Sequence, residues 1–425
     1  MSPRTLSTSS CRWSSARISR APQVTEIEQV AVQRLELEQF RVYESLRLEV
    51  PAAGLRIVGA NGTGKSSLLE ALELLSTTRP RRGANDGDLI AHRSGVELGV
   101  PPYTRVEAHV LRGDALAVLE VFIQQREHRS GTKKLLKVAN RSRRAADVVG
   151  IVPTVSFAPD DLDLVLGSPS VRRRFLDIML SQTDRRYLGH LSRYARILAH
   201  RNSLLKDPGS SVPGGDDQFS YWDEQLVALG AYIIAARAGV IRSLDDLARQ
   251  RFHELSPDSG TLQIRYTSTL TAAESWWDSV NTVSGDALDG AQRVGTLFES
   301  QLRRGRHADL ARGVTSIGPH RDDLEFLLDG RPLARFGSRG QQRLVVLALK
   351  LAELGVAETR IGFRPILLLD DMLSELDPAH RESLLAAVSV GGQVFITATE
   401  PGLVDRADLS ALGHVWLKEP GQIGL

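Results

Sequence analysis

Gly59-Ala60-Asn61-Gly62-Thr63-Gly64-Lys65-Ser66 is the stretch that decides the fold of this 425-residue chain. It fits G-x-x-x-x-G-K-[ST] at every fixed position. Glycines reach left-handed backbone angles without a Cβ penalty, so several N–H groups can converge on one phosphate. A helix starting where the loop ends adds its N-terminal partial charge. Lys65 offers a mobile cation to the β- and γ-phosphates of ATP, and the Ser66 hydroxyl a ligand for Mg2+. The motif needs a strand before it and a helix after it. Residues 54–58 (GLRIV) supply a short apolar run, and Leu68, Leu69, Ala71, Leu72, Leu74 and Leu75 recur at helical spacing. Gly59, Ala60, Asn61, Gly62, Thr63, Gly64, Lys65, Ser66 and Ser67 are therefore expected to cradle nucleotide, with Lys65 also acting in catalysis.

Two further stretches answer to that loop. Ile366-Leu367-Leu368-Leu369-Asp370-Asp371 reads as a buried strand that ends in acids. A carboxylate there lies at the sheet edge near the metal, so Asp370 is the expected Mg2+ ligand, through water. Asp371 would polarise the attacking water as general base. Phe336-Gly337-Ser338-Arg339-Gly340-Gln341-Gln342-Arg343 opens an apolar helix expected from about Gly340 to Leu354, with Ser338 as its N-cap.

Outward from these motifs the chain divides. Residues 32–40 alternate apolar and polar as a half-buried strand does, and 105–125 hold two more strands. Residues 130–144 carry Lys133, Lys134, Lys137, Arg141, Arg143 and Arg144 with no acid, which suggests a hairpin with a basic edge. From about 170 to 310 the pattern is helical, over Arg172–Leu191, Leu191–Leu205 and Tyr221–Leu255, with a Pro/Gly/Ser loop at Asp207–Asp217. Strands return at Leu324–Leu328, closed by the turn Asp329-Gly330, and at Val394–Thr397. Neither end has enough strands for a complete sheet, so the two are expected to fold together. The expected units are a tail at 1–29, an α/β lobe from 30–168 and 313–425, and a mainly helical lobe inserted at 169–312.

Composition narrows the class. The chain is 42% hydrophobic and 24% charged with a formal net charge of +2, so any nucleic-acid contact must be local. The single cysteine, Cys11, excludes an internal disulfide and fits a cytoplasmic protein. No charge-free run approaches the ~18 apolar residues of a membrane span. The first 29 residues are rich in Ser and Arg, without acids before Glu26. They read as a disordered tail, although a transit peptide or a true start near Val30 would look similar, and they lack the apolar region of a secretion signal.

The order of phosphate loop, Ser338-Arg339-Gly340-Gln341-Gln342 signature, Asp370-Asp371 strand and Ser374-Glu375-Leu376-Asp377-Pro378 resembles the ABC-type ATPases of the SMC class. Within that class the chain is similar to the RecF family of recombination mediators. Phe40-Arg41-Val42-Tyr43, Phe157–Leu162, Gly167–Asp177 and Gly318–Asp323 carry that likeness across roughly 34–420. The resemblance implies an ATPase that dimerises on ATP, with two ATPs between the subunits. Ser338, with Gly340 and Gln341, would meet the γ-phosphate held by the second copy, and Ser374–Asp377 would cross the same interface. It also implies DNA binding in replication, gap repair, recombination and the SOS response, together with RecR and RecO and, through them, RecA loading.

Some positions depart from that family. Lys65-Ser66-Ser67 stands where Lys-Thr-Asn is frequent, and Thr397-Ala398-Thr399-Glu400 where many ABC ATPases place a switch histidine. Asp371 is one methylene shorter than the usual glutamate. The last two features predict slow hydrolysis. Candidate DNA contacts are Lys133, Lys134, Lys137 and Arg141, with Arg172–Arg174 and Arg303–Arg306 as further basic clusters. No aromatic stacking platform is legible, so backbone recognition is the expectation. A long-arm SMC protein fails on length, because roughly 300 residues with no sustained heptads separate Lys65 from Asp370. A transporter motor would not need so long a helical insertion. A scaffold in which ATP only staples a dimer stays open.

Overall fold

A computed structural model describes residues 29–81, 85–96, 99–127, 130–206, 216–270, 287–388 and 391–424. The expected tail up to residue 28, with Cys11, and most of the 207–217 loop lie outside the described residues. In chain order the principal elements are β1 (Val30–Phe40), β2 (Tyr43–Glu49), β3 (Gly54–Gly59), α1 (Lys65–Thr77), β4 (Tyr103–Arg112), β5 (Ala115–Gln125), β6 (Thr132–Val138), β7 (Arg141–Arg143), β8 (Thr154–Phe157), α2 (Pro169–Thr183), α3 (Arg185–Leu205), α4 (Asp216–Leu255), β9 (Leu262–Thr267), α5 (Ala287–Arg312), β10 (Asp323–Leu328), β11 (Arg331–Pro332), α6 (Arg339–Ile361), β12 (Ile366–Asp370), α7 (Pro378–Val388), β13 (Val394–Ala398), β14 (Gly413–Glu419) and β15 (Gln422–Gly424).

One sheet runs β15-β14-β3-β13-β12-β8 and is parallel from β14 to β8. Its strands β3 and β8 precede the helical region and the others follow it, so the two ends of the chain share this sheet. All five residues of β12 and all five of β13 are buried, as central strands covered on both faces require. A second, antiparallel sheet runs β2-β1-β4-β5-β6-β7. Helix α1 lies between the two. Its Leu68, Leu69, Leu72 and Leu75 share one core with Leu35, Leu37, Val106 and Val121 of the antiparallel sheet and Ile57, Leu368 and Phe395 of the parallel one. Each such side chain contributes about 1.5–3 kcal/mol by its burial.

The helical lobe packs α2 to α5 with a small sheet, β11-β10-β9. Helix α6 belongs to both lobes. Val345, Ala348, Leu349 and Ala352 face the helical core, whereas Leu347, Leu351 and Leu354 face the parallel sheet. The fold is thus an ABC-type α/β lobe with a mainly helical insertion.

Four details differ from the sequence expectations. The helix break falls at Asp184 rather than Leu191, because the Asp184 carboxylate accepts the backbone N–H groups of Arg186 (2.8 Å) and Tyr187 (3.2 Å) and starts a new helix. Strand β9 interrupts the helical stretch. It alternates Leu262 and Ile264 inward with Gln263 and Arg265 outward, and pairs antiparallel with β10. Helix α6 runs on to Ile361 and stops at Gly362, whose φ of 81° no ordinary side chain favours. Finally, Phe219–Leu255 of α4 is long and apolar enough to cross a membrane, but 78% of its apolar window is buried inside the protein. It is a core helix whose Arg237 is fully engaged by internal partners. The expected Asp329-Gly330 turn is present, with positive φ at both residues (49° and 74°) between β10 and β11.

Candidate nucleotide-binding site

The phosphate loop joins β3 to α1, as its chemistry demands. Gly62 and Gly64 hold φ of 83° and 106°. A Cβ at Gly64 would lie 2.7 Å from the Val42 side chain and 2.8 Å from the Tyr43 hydroxyl. That hydroxyl donates to the Gly64 carbonyl (3.0 Å), so Val42-Tyr43 forms a floor beneath the loop. Thr63 closes the turn by donating to the Ala60 carbonyl (2.9 Å). The Lys65 ammonium folds back onto the Gly59 and Ala60 carbonyls (2.8 and 2.9 Å). Burial lowers its pKa, against the pull of Asp371 and Asp370. Ala60, Asn61, Gly62 and Ser66 face solvent, and Ser67 is half-buried.

Strand β12 brings the acids to this loop from 304 residues away. The Ser66 hydroxyl donates to Asp370 Oδ1 at 2.8 Å. The Thr397 hydroxyl, at the end of β13, bonds the same oxygen (3.1 Å) and accepts the backbone N–H of Asp371 (2.9 Å). Asp370 Oδ2 meets Arg81 Nη1 at 3.0 Å. Ser66 and Asp370 thus present adjoining hard oxygens of the kind Mg2+ takes. Asp371 sits in a left-handed conformation (φ 51°), and its Oδ1 is buried without a hydrogen-bond partner. Burial raises its pKa from the ordinary aspartate value, against the pull of Ser374 and Lys65. That oxygen, beside the phosphate loop, is open to accept a proton or a further donor.

The signature begins α6. Ser338 accepts the N–H of Gln341 (3.2 Å), and Gln341 returns a bond to the Ser338 N–H (2.9 Å), a reciprocal cap. Ser338, Arg339 and Gly340 are exposed, as is Phe336 beside them. Below this surface Gln342 donates to the Leu333 and Gly337 carbonyls. Arg343 pairs with Glu375 at 2.9 Å and ties α6 to the segment after Asp371. Asp377 caps α7 through Ala379 N and His380 N. None of the hydrogen bonds of Ser338 reaches the phosphate loop among the described residues.

Sequence reasoning missed a buried charge network behind the site. Arg81 bridges Asp370 and Glu73. Glu73 of α1, Asp161 after β8 and the Lys350–Glu353 pair of α6 line one cavity with it. Burial raises the pKa of Glu73, Asp161 and Glu353. The available signal was Lys350 and Glu353, two charges three residues apart in an otherwise apolar helical run.

The basic clusters fare unequally. Lys133 and Arg141 are exposed. Lys134 instead pairs with Asp86 (2.5 Å) and Lys137 with Glu120 (2.7 Å), because neighbouring elements bring acids that the local sequence lacks. Arg172 is buried against Asp323, Arg173 donates to the Asp322 carbonyl, and Arg174 to the Pro80 carbonyl. Arg303 pairs with Glu299 and Arg306 with Asp223. Arg172–Arg174 therefore serve the packing of α2, which corrects their reading as phosphate contacts.

The RecF/RecN/SMC N terminal domain family matches residues 31–420. The DNA replication and repair protein RecF of Thermomicrobium roseum is 44% identical over 383 residues, covering 90% of this chain and 96% of its own. That of Chloroflexus aurantiacus is 40% identical over 402 residues, covering 92% and 99%. A solved structure of the recombination mediator protein RecF-ATPrS in the RecFOR pathway superposes with a TM-score of 0.78 at 28% identity, covering 94% of this chain and 99% of its own. The corresponding RecF-ATP structure gives 0.77.

Proposed function

The chain belongs to the RecF family of the RecF/RecN/SMC class, and from that premise we propose that it is an ATP-switched DNA-binding protein of replication and repair. The single observation that carries the reading is the half-built site. Ser66 touches Asp370, Asp371 holds an unpartnered oxygen, and the signature serine stands exposed with its bonds confined to its own cap.

In the proposed mechanism the loop amides and Lys65 hold the phosphates of ATP. Lys65 exchanges its bonds to the Gly59 and Ala60 carbonyls for the β- and γ-phosphates. Ser66 and Asp370 would hold Mg2+, which neutralises phosphate charge. Arg81 and Thr397 orient the Asp370 carboxylate. Asp371 Oδ1 accepts a proton from the attacking water. Ser338, Gly340 and Gln341 of a second copy complete the site, with Ser374–Asp377 across the same interface. ATP closes the dimer and slow hydrolysis opens it. The closed dimer grips DNA at gaps by its backbone, with Lys133 and Arg141 as contacts and Lys134 and Lys137 held back by their acids. RecR and RecO are the proposed partners, RecA loading the outcome, and the cytoplasm the location. The proposed units are a tail at 1–29, the α/β lobe at 30–168 and 313–425, and the helical lobe at 169–312.

ATP turnover measured with and without gapped duplex DNA tests this reading. Slow turnover that DNA accelerates is expected. No turnover under any DNA condition would favour a scaffold that ATP merely staples.

A further inference from the structure

Helix α3 holds five arginines and two histidines in 21 residues and no acid. Arg201 is buried and binds Asp223 and Asp309. The other four, Arg185, Arg186, Arg193 and Arg196, are exposed. At about 100° per residue they fall, with His200, within an arc of roughly 100°. Tyr187, Tyr194, Arg201 and Leu205 occupy the opposite, buried arc. Gly189 lies in the middle of the exposed arc with open space where a side chain would stand. None of the four exposed arginines has an ion-pair partner among the described residues, whereas Lys134, Lys137, Arg172, Arg303 and Arg306 all do.

Stability does not ask for this stripe. Arg185 and Arg186 sit in the first turn, where the helix dipole opposes a cation. Four guanidiniums on one face also repel one another. We propose that the α3 stripe is a second surface, beside Lys133 and Arg141, that takes the sugar-phosphate backbone of duplex DNA. The proposal rests on the DNA-binding function argued above and extends its contact surface. Arg185 to Arg196 spans about 16 Å at 1.5 Å per residue, and a duplex presents a phosphate charge about every 1.7 Å of its axis, so each arginine has a phosphate within reach. Bare backbone at Gly189 lets the strand approach closely. A membrane surface fits less well, because the large apolar residues of α3 are buried or half-buried and none is free to insert.

Binding of the full chain, with ATP, to duplex DNA across a salt titration tests the proposal. Arg193→Gln with Arg196→Gln is expected to weaken binding and flatten the salt dependence by about 0.9 for each lost phosphate contact. Adding Arg185→Gln and Arg186→Gln should roughly double that loss. Lys134→Gln with Lys137→Gln removes two charges elsewhere and should leave the slope unchanged. ATP binding, measured on every variant, reports that each is folded. An unchanged slope and affinity in the four-arginine variant, with wild type bound normally, overturns the stripe alone. Wild type that binds no DNA overturns both the stripe and the function it rests on.

Discussion

Arg237 of the helical lobe and Asp371 of the α/β lobe are both ionisable groups taken into the fold, and they are treated in opposite ways. Every nitrogen of the Arg237 guanidinium is bonded, to the Tyr187 hydroxyl (3.0 Å), the Pro319 carbonyl (2.6 Å) and Asp177 (2.7 Å). Asp371 has an oxygen with no partner and a backbone angle that costs energy. A completed network fixes how α2, α3 and α4 meet. An incomplete one leaves a carboxylate oxygen with an open acceptor position. Arg237 is thus a polar group whose hydrogen bonds are complete, whereas Asp371 keeps an acceptor open.

The contrast can be broken first at its chemical end. Asp371→Asn should lower turnover by about 10^2–10^4 while ATP binding persists, because it removes proton transfer and little else. Single-turnover kinetics beside nucleotide binding would separate the two. Arg237→Met should do the reverse. Asp177, half-buried, would lose its guanidinium partner and keep the Tyr187 hydroxyl, which is expected to cost about 1–3 kcal/mol in denaturant unfolding, with ATP affinity of the folded fraction unaltered.

His320 sharpens the structural side. Its Nδ1 accepts the Tyr194 hydroxyl (2.8 Å), its Nε2 faces the Thr315 carbonyl (3.1 Å), and burial depresses its pKa from 6.5 to about 4. The folded state therefore resists protonation that the unfolded chain accepts. The corresponding stability is present above about pH 6.5 and is lost as pH falls towards about 4, at most on the order of 3 kcal/mol. Unfolding midpoints through that window, against His320→Gln, would show whether the slope belongs to this residue. Asp371 carries the other readout. Burial raises its pKa, so the acid limb of turnover should lie at higher pH than an ordinary aspartate would give. The smallest effect is on stability at Ser338→Ala, about 1 kcal/mol for a lost N-cap.

Much of this was legible in the sequence because the informative signals are local. The phosphate loop, the acidic strand and the signature each lie within eight or fewer residues, and each falls on the element expected for it. The shared parallel sheet was legible from a shortage of strands at each end. What escaped depends on contacts between distant segments. Arg81 reads as one basic residue in a Pro/Arg stretch, and only the fold sets it against Asp370 and Glu73. Lys134 and Lys137 looked free because Asp86 and Glu120 lie on other elements. The α3 arginines were passed over because apolar residues between them dilute the charge in sequence, and only the helical arc gathers them. Strand β9 was missed within a long helical pattern, although its alternation is visible in Leu262–Thr267.

Dimerisation on ATP is what the proposed site requires. Sedimentation of wild type, Lys65→Ala and Ser338→Ala, each with and without ATP, addresses that most directly. The expected result is a dimer for wild type only when ATP is present, and monomers for both variants. Ser338→Ala that still dimerises on ATP as wild type does, or a wild type whose mass ignores ATP, would contradict it.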